Sequence, residues 1–339
     1  MTRDSIQQQA VDMFSQGNLL CKIATGVGKG LLIFKCVKDL DVLVVVEKLN
    51  QIDNMKNDAL KHGFDTSRYT FTHYNSLEKY VGKQFDCIVL DECDRCNERN
   101  AKAIKMISCN RFLFTSAEVP KERMDILKSI CKFKTLSVSL TQAIKYGILP
   151  PLEIRLIPLT PTQPQLDKLK KLEKDIEYYK DKAVVWNPPD WDALTCLRKG
   201  GERKKLFNQI KLGSLPFLLQ KTKGKRRIFF FGNASDCPKE LNLYYSGDPS
   251  SKKHLQSFMD ESSDTLSAIE QLTRGLNLSK IEVGCLMTLG KSSVNLIQKI
   301  GRILRSDEPV LYIPFVKDSN DSKFLFKFLE SYGGNVTTL

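Results

Sequence analysis

A chain of 339 residues with 42% hydrophobic and 27% charged residues is long and apolar enough for two globular domains, each with its own core. No apolar run approaches the roughly 20 residues that span a bilayer, and because the first residues include no apolar stretch of signal-peptide type we expect no secretion signal. The ten cysteines follow no disulfide framework, which favours reduced thiols. The formal net charge of +13 indicates a polyanionic partner, and we expect a cytoplasmic protein without membrane contact.

The first part of the chain alternates short apolar runs with longer mixed segments. Since strands buried on both faces of a parallel sheet are apolar throughout, the short runs predict strands at 18–23, 42–46, 86–90 and 111–114. The mixed segments between them predict crossover helices, at 30–38 and 50–61. The alternation restarts after residue 225, with predicted strands at 228–231, 240–245, 281–287 and 310–315 and helices at 251–259, 294–304 and 322–331. The sequence therefore predicts an α/β protein with two tandem domains on parallel sheets, 1–150 and 226–339.

Residues 151–225 differ from both domains and predict a helical, basic connector. Trp186 and Trp191 flank a turn with two prolines in this connector, where they either pack against it or stack on bases. Between Arg198 and Arg227 the chain has eleven basic residues and one acid. Such a strip is typical of binding to backbone phosphates, although a solvated linker has the same composition. Its candidate contacts are Arg203, Lys204 and Lys205.

The segment Ala24–Gly30 reads A-T-G-V-G-K-G between a predicted strand and a predicted helix, which is the context of a phosphate-binding loop. Its glycines allow the tight turn in which backbone N–H groups surround a phosphate. Lys29 is the candidate for contacting the β- and γ-phosphates. Gly30 departs from the pattern, because such loops have Ser or Thr there to bind Mg²⁺. The candidate nucleotide-binding residues are Thr25, Gly26, Val27, Gly28, Lys29 and Gly30, and the alternative is an ordinary glycine-rich turn.

An acidic pattern, D-E-C-D, follows the predicted strand that ends at Leu90. Asp91 is the candidate ligand of Mg²⁺, through water, and Glu92 is the candidate for orienting and deprotonating an attacking water. A surface turn also carries acidic pairs, but the complete pattern favours catalysis. Cys93 and Cys96 form one C-x-x-C pair, and because structural zinc takes four ligands we predict no zinc site there.

Near the C-terminus, Gln298, Arg302 and Arg305 form the pattern Q-x-x-G-R-x-x-R. Their spacing of four and three residues places them on one face of a helix. Arginine side chains in such an array can stabilise the charge that develops on a transferred phosphoryl group. A basic amphipathic helix is the alternative, but it does not account for Gly301.

These motifs occur together with Thr115-Ser116-Ala117, Arg226–Phe231 and Leu272–Asn277, in the order seen in superfamily 2 helicases and translocases. The chain resembles the minimal type of that superfamily, with two RecA-like domains, as in phage branch-migration and repair helicases. The resemblance implies an ATP cleft between the domains and dependence on ATP and Mg²⁺. It also implies the following roles: adenine recognition by Gln7, nucleotide contact at Gly275, contact of Arg302 and Arg305 with ATP, and coupling of hydrolysis to domain motion by Thr115 and Ser116.

The resemblance further assigns nucleic-acid contacts to loop residues that follow the predicted strands: Lys48, Thr72, Ser76, Gly232, Asn233 and Thr273. Small hydroxyls, amides and backbone N–H groups suit phosphate contacts that carry no sequence code. Residues 141–150 resemble a segment of repair translocases and restriction motor subunits, which favours DNA at forks or branches. An RNA helicase is the second interpretation, and a nucleic-acid-binding protein with weakened ATPase, suggested by Gly30, is the third. The sequence leaves the oligomeric state open and is compatible with a monomer.

Overall fold

The structure, a computed structural model, describes residues 1–185, 189–245, 248–269, 278, 281–289, 306–332 and 334–339. The chain forms two compact units. The first contains Met1–Pro151, and the second contains residues 152–269, 281–289 and 308–339. Across the described residues, no helix combines the length and the apolar character that crossing a membrane requires.

The first unit is built on a sheet of six parallel strands. The strands are β1 (Leu19–Ile23), β2 (Val42–Val46), β3 (Tyr69–His73), β4 (Gln84–Asp91), β5 (Ser108–Ser116) and β6 (Lys134–Val138). Their order across the sheet is β3-β2-β4-β5-β1-β6. All five residues of β2 are buried, as expected for a sheet covered on both faces. Because β4, β5 and β1 are adjacent and parallel, the residues at their C-terminal ends lie close together along the carboxyl edge of the sheet.

Helices lie before, between and after these strands in the described part of the first unit. They are α1 (Arg3–Ser15), α2 (Lys29–Cys36), α3 (Asn50–Lys61), α4 (Glu98–Lys105), α5 (Lys121–Ile130) and α6 (Leu140–Lys145). Three of them begin with a capping box, in which the side chains of Thr2, Asn97 and Ser139 accept hydrogen bonds from the first turn. Such caps satisfy backbone N–H groups that have no partner inside the helix, and so they fix where α1, α4 and α6 start.

The second unit is built on a sheet of seven strands, also parallel. The strands are β7 (Glu153–Leu159), β8 (Arg227–Phe231), β9 (Leu243–Tyr244), β10 (Thr265–Ile269), β11 (Val283–Leu286), β12 (Val310–Val316) and β13 (Val336–Thr338). Their order is β13-β7-β12-β11-β8-β10-β9. Strand β7 pairs with β12 along its whole length. The segment 151–225, predicted as a connector, therefore starts with a strand of the second sheet.

The helices of the second unit include a long antiparallel pair between β7 and β8. The helices are α7 (Gln163–Lys182), α8 (Trp191–Leu212), α9 (Leu215–Lys221), α10 (Lys252–Met259) and α11 (Asn320–Tyr332). Near the sheet, Leu169 and Leu172 of α7 pack against Leu206 and Phe207 of α8 in a buried cluster that includes Val316 of β12. This packing anchors one end of the α7–α8 hairpin to the second sheet.

A buried ion pair fastens α8 to the start of α11. The Lys211 ammonium lies 2.7 Å from the Asp321 carboxylate, and the two side chains are 1% and 4% exposed. The other carboxylate oxygen of Asp321 accepts a hydrogen bond from the Val316 N–H. Burial lowers the pKa of Lys211, and the charge of Asp321 opposes this effect. Part of the basic strip therefore serves the fold rather than a ligand.

We expect Lys211→Met to lower the free energy of unfolding by about 3–5 kcal/mol, since it leaves a buried carboxylate without its counterion. Urea denaturation followed by circular dichroism measures the change. Lys205→Met is the matched control, because Lys205 is exposed on the same helix and its loss should change the stability by no more than about 0.5 kcal/mol. Equal unfolding midpoints for the two variants would show that the ion pair contributes nothing.

Candidate nucleotide site and nucleic-acid interface

The predicted phosphate loop connects β1 to α2. Gly26 and Gly28 have φ values of 93° and 103°, in the left-handed region that favours glycine. At Gly28 a side chain would also meet its surroundings, because a Cβ there would lie 3.1 Å from Nε2 of Gln7. The Thr25 hydroxyl is buried and has no hydrogen-bond partner among the described residues. A tight loop with an unpaired buried hydroxyl at a helix N-terminus suits the binding of a polar group such as a phosphate.

Lys29, the first residue of α2, forms an ion pair with Glu92. The Lys29 ammonium lies 3.1 Å from the Glu92 carboxylate, and both side chains are largely buried. Burial disfavours the lysine charge, but the carboxylates of Glu92, Asp91 and Asp94 outweigh it and raise the pKa of Lys29. The structure thus brings the predicted phosphate-binding lysine and the predicted general base together, with the lysine fully charged.

Asp91 ends β4 beside Thr115, near the end of β5. The Thr115 hydroxyl donates a hydrogen bond of 2.6 Å to the Asp91 carboxylate, and the Tyr74 hydroxyl donates to the Asp91 carbonyl. Burial and the adjacent charge of Glu92 raise the pKa of Asp91 to about 6, although Lys29 and the Thr115 hydrogen bond oppose the rise. Glu92 itself has a φ of 49°, an unusual value for a residue other than glycine and one that is concentrated at functional sites.

The carboxylates of Asp91 and Glu92 fit a magnesium ion. Mg²⁺ prefers oxygen ligands, and in nucleotide sites it takes one or two carboxylates together with water and phosphate oxygens. Burial and, second to it, the charge of Glu92 raise the pKa of Asp91, and a cation bound beside the two carboxylates would favour their charged forms. Across the described ranges, this site included, no group of three or more His, Cys, Asp or Glu side chains is placed to hold a metal ion. All ten cysteines are free, Cys93 and Cys96 included.

Gly30 has room for the hydroxyl that phosphate loops place at this position. A Cβ built on Gly30 meets no heavy atom within 4 Å. We therefore expect Gly30→Ser to fold normally and to tighten binding of Mg²⁺ in the presence of ATP by about tenfold, a change comparable to those caused by other residues around a metal. Titration calorimetry with Mg²⁺ at saturating ATP measures the effect. Gly30→Ala, which adds the Cβ alone, is the control, and an equal gain in this variant would contradict the role of the hydroxyl.

Gln7, predicted to read adenine, lies beneath the phosphate loop. It is buried in α1, and its amide oxygen accepts a hydrogen bond of 2.7 Å from the Lys35 ammonium of α2. Its amide nitrogen faces Gly28, as the 3.1 Å approach above indicates. Gln7 thus packs against the phosphate loop and the helix that follows it. Adenine recognition by Gln7 stays a prediction.

Thr115 and Ser116, predicted to couple hydrolysis to motion, both contact the acidic motif. Thr115 bonds to Asp91, and the Ser116 hydroxyl donates a hydrogen bond of 3.0 Å to Asp94. Arg95, which sequence reasoning missed, lies between two carboxylates, 3.7 Å from Asp94 and 3.4 Å from Glu47. Its position directly after D-E-C-D was the only sequence feature that could have indicated its contact with the acidic motif. Through Arg95 the acidic motif reaches the loop after β2 that carries Lys48.

The nucleic-acid contacts predicted in the first unit lie near the carboxyl edge of its sheet. Lys48 is half-buried, and its N–H donates a hydrogen bond of 2.9 Å to the Gln51 side chain. The Ser76 hydroxyl lies 3.1 Å from Nε2 of His73. Thr72 is only 4% exposed, which leaves its side chain little surface for a backbone contact. Lys48 and Ser76 therefore remain the better candidates of the three.

In the second unit, Gly232 and Asn233 follow β8 and belong to a hydrogen-bonded network with α8. The Gly232 N–H donates to Thr288 at 3.0 Å, and the Thr288 hydroxyl donates to Asn208 of α8 at 3.2 Å. The Asn208 and Asn233 amides both donate to Asp236. Asn208 was not predicted from the sequence. The network joins the loops after β8 and β11 to the helix that carries the basic strip.

Some basic side chains of the strip bond to other residues of the second unit, whereas others are exposed to solvent. Lys199 pairs with Asp175, Lys211 pairs with Asp321, and the Arg227 guanidinium donates to the Leu219 carbonyl and to two threonine hydroxyls. On α8, Lys204 and Lys205 are exposed and Arg203 is half-buried. These three residues, predicted to contact nucleic acid, thus lie on one helix, and each has a side chain that is at least partly accessible to solvent. The remaining predicted site residues lie outside the described residues: Thr273, Gly275, Gln298, Arg302 and Arg305.

No family model matches this sequence, and no curated protein matches it. Solved structures do match. S. cerevisiae Dbp5 bound to RNA and ADP BeF3 is similar with a TM-score of 0.68 and 12% identity, over 98% of this chain and 89% of that one. The Pyrococcus furiosus Hef helicase domain is similar with a TM-score of 0.61 and 12% identity, over 95% of this chain and 97% of that one.

A third similar structure is the ATP-dependent Type ISP restriction-modification enzyme LlaBIII bound to DNA. Its TM-score is 0.65 at 13% identity, and the match covers 100% of this chain and 31% of that one. At these identities the likeness establishes the fold alone. It confirms the predicted fold class: the chain consists of two tandem RecA-like α/β domains with parallel sheets, as in helicases.

Proposed function

We propose that this protein is a nucleic-acid-stimulated ATPase that works as a helicase or translocase, with forked or branched DNA as its favoured substrate. The observation that carries the proposal is the cluster of Lys29, Asp91 and Glu92 beside the phosphate loop. An ion pair of 3.1 Å between Lys29 and Glu92 and a hydrogen bond of 2.6 Å from Thr115 to Asp91 hold these side chains next to the phosphate loop, and phosphoryl transfer uses residues of these types.

In the proposed reaction, water attacks the γ-phosphorus of ATP, and the bond between that phosphorus and the β–γ bridging oxygen breaks. Glu92 orients the water and accepts its proton, and the products are ADP and inorganic phosphate. Lys29 moves from Glu92 to the phosphates, which releases the Glu92 carboxylate to act as base. Asp91 would hold Mg²⁺, which supplies neutralising charge to the phosphates when bound.

The preference for DNA is supported by the resemblance of residues 141–150 to a segment of repair translocases, and by the likeness to LlaBIII, which was solved bound to DNA. RNA is the second candidate, supported by the likeness to Dbp5 bound to RNA, which has a similar TM-score. The exposed Lys204 and Lys205 suit either backbone, since phosphate contacts carry no base information.

Strand displacement tests the proposal. Labelled forked DNA and a matched RNA duplex with a single-stranded tail are each incubated with protein and Mg²⁺, with ATP or with a non-hydrolysable analogue. A companion reaction scores removal of streptavidin from a biotinylated strand, which reports translocation without unwinding. We expect ATP-dependent displacement or streptavidin removal on DNA. Activity on RNA alone would favour the second candidate, an RNA helicase. Inactivity on both polymers would contradict the proposal that the protein is a motor.

A further inference from the structure

The α7–α8 hairpin has one end in the core of the second unit and the other in solvent. Its register is antiparallel, because Lys199 pairs with Asp175 at 2.9 Å and the Cys196 thiol contacts the Ile176 carbonyl at 3.6 Å. Leu169 and Leu206 lie in the buried cluster near β12. The end of α7 and the start of α8 therefore form the far end of the hairpin, here called the hairpin tip and comprising the described residues within 178–197.

The hairpin tip exposes apolar side chains that a solvent-facing turn does not need. Trp191 is 78% exposed at the first position of α8, and five other large apolar residues of the tip are between 45% and 86% exposed. They are Tyr178, Val184, Val185, Leu194 and Leu197. Residues 191, 194 and 197 follow each other at intervals of three, so they lie along neighbouring parts of the α8 surface. Large exposed apolar surfaces on soluble proteins often belong to interaction sites, and these exposed side chains make the tip a candidate for one.

The tip is held in a defined shape rather than left as a loose loop. Asp190 accepts hydrogen bonds from the N–H groups of Val184, Val185 and Ala193, at 2.8 to 2.9 Å. These bonds lower the pKa of Asp190 and cap the start of α8. On α7, the Lys182 ammonium lies 2.6 Å from the Tyr178 hydroxyl and 4.3 Å from the ring centroid. A surface that is ordered before it binds loses less entropy on binding.

Charge separates the tip from the rest of α8. Residues 178–197 contain two lysines and three aspartates, a net charge of −1. Arg203, Lys204 and Lys205 follow on the same helix, about 18 Å from Trp191 at 1.5 Å per residue. A partner that fits both parts must present an uncharged flat surface at one place and negative charge farther along. The end of a nucleic-acid duplex has this composition, with base faces at the end and phosphates along the sides.

We propose that the hairpin tip contacts bases at a junction between duplex and single strand. Trp191 stacks on the exposed base pair at the junction, while Arg203, Lys204 and Lys205 bind the adjoining backbone. This inference rests on the proposed function and specifies its substrate as a junction rather than a uniform strand. A protein partner or a second copy of this chain would need the apolar tip alone, and it would leave the three cations of α8 without a role.

The test compares wild type, Trp191→Ala and Trp191→Phe by fluorescence anisotropy, with forked DNA and with single-stranded DNA of equal length. Loss of one base–aromatic stack lowers affinity by about tenfold. We therefore expect Trp191→Ala to bind the fork about tenfold more weakly, to bind single strands within about twofold of wild type, and to regain most fork affinity when Phe replaces Ala. A 2-aminopurine at the junction should change fluorescence with wild type and not with Trp191→Ala. Leu60→Ala, at a residue 70% exposed in the first unit, is the surface control.

Equal fork affinities for wild type and Trp191→Ala, with wild type still hydrolysing ATP in response to DNA, would overturn the stacking role and leave the proposed function intact. Sedimentation that shows a wild-type dimer broken by Trp191→Ala would also overturn it, in favour of self-association. A wild-type protein that neither binds nucleic acid nor hydrolyses ATP would remove the proposed function and this inference with it.

Discussion

Glu92→Gln is expected to reduce the turnover of ATP by about 10²–10⁴-fold, the usual contribution of a general base. The amide keeps the size of the side chain but cannot accept a proton from the attacking water. It also ends the ion pair with Lys29, 3.1 Å away, so that the lysine is free for the phosphates. We therefore expect the affinity for ATP to stay equal or to increase while turnover falls.

Steady-state ATPase assays and nucleotide titration with a fluorescent ATP analogue separate these two effects. Glu78→Gln is the matched control, because Glu78 is an exposed residue of the first unit that pairs with Arg99. The control should keep wild-type turnover. A Glu92→Gln enzyme with turnover within about threefold of wild type would show that another group takes the proton, and it would remove the main chemical role assigned to the acidic motif.

Arg305→Ala is expected to lower turnover by about 10³–10⁵-fold, the contribution of an arginine that stabilises charge on a transferred phosphoryl group. Arg305 lies outside the described residues, so this expectation rests on the sequence pattern Q-x-x-G-R-x-x-R. At the site in the first unit, Lys29 contacts the acidic motif at Glu92, and Arg95 lies beside Asp94. A further cation at the γ-phosphate would complete this site.

Arg305→Lys keeps the charge but not the planar fork, and it should recover only part of the activity. Rapid-quench measurement of a single turnover reports the chemical step in each variant. If Arg305→Ala hydrolyses ATP as fast as wild type, the arginine has no part in the chemistry and the last motif is a basic helix.

The central strands of both sheets could be predicted because they are continuous apolar runs of strand length. Predicted strands at 42–46 and 228–231 correspond closely to β2 and β8. Strand β3 was missed because Tyr69–His73 lies at a sheet edge and is only partly buried, so it has no apolar run. Strand β7 was not predicted, because Arg155 and Pro158 interrupt its apolar run.

The clustering of the candidate site residues could be predicted because each of them belongs to a short local motif. Lys29 and Glu92 are 63 residues apart, yet each belongs to a short motif at a strand end, and neighbouring parallel strands bring such ends together. Long-range pairs without a motif could not be found in this way. The composition of the basic strip gave no sign that Lys211 is buried against Asp321, 110 residues away, nor that Arg95 reaches Glu47.

Steady-state Mg²⁺-dependent ATPase of the wild-type protein tests most directly whether the Lys29–Glu92 site drives a nucleic-acid motor. The assay is run at fixed low salt, without polymer and with single-stranded DNA, forked DNA and RNA in parallel. We predict weak hydrolysis without polymer and strong stimulation by forked DNA. Hydrolysis that no polymer changes, or binding of polymer without any hydrolysis, would contradict the central claim that the Lys29–Glu92 site powers a nucleic-acid motor.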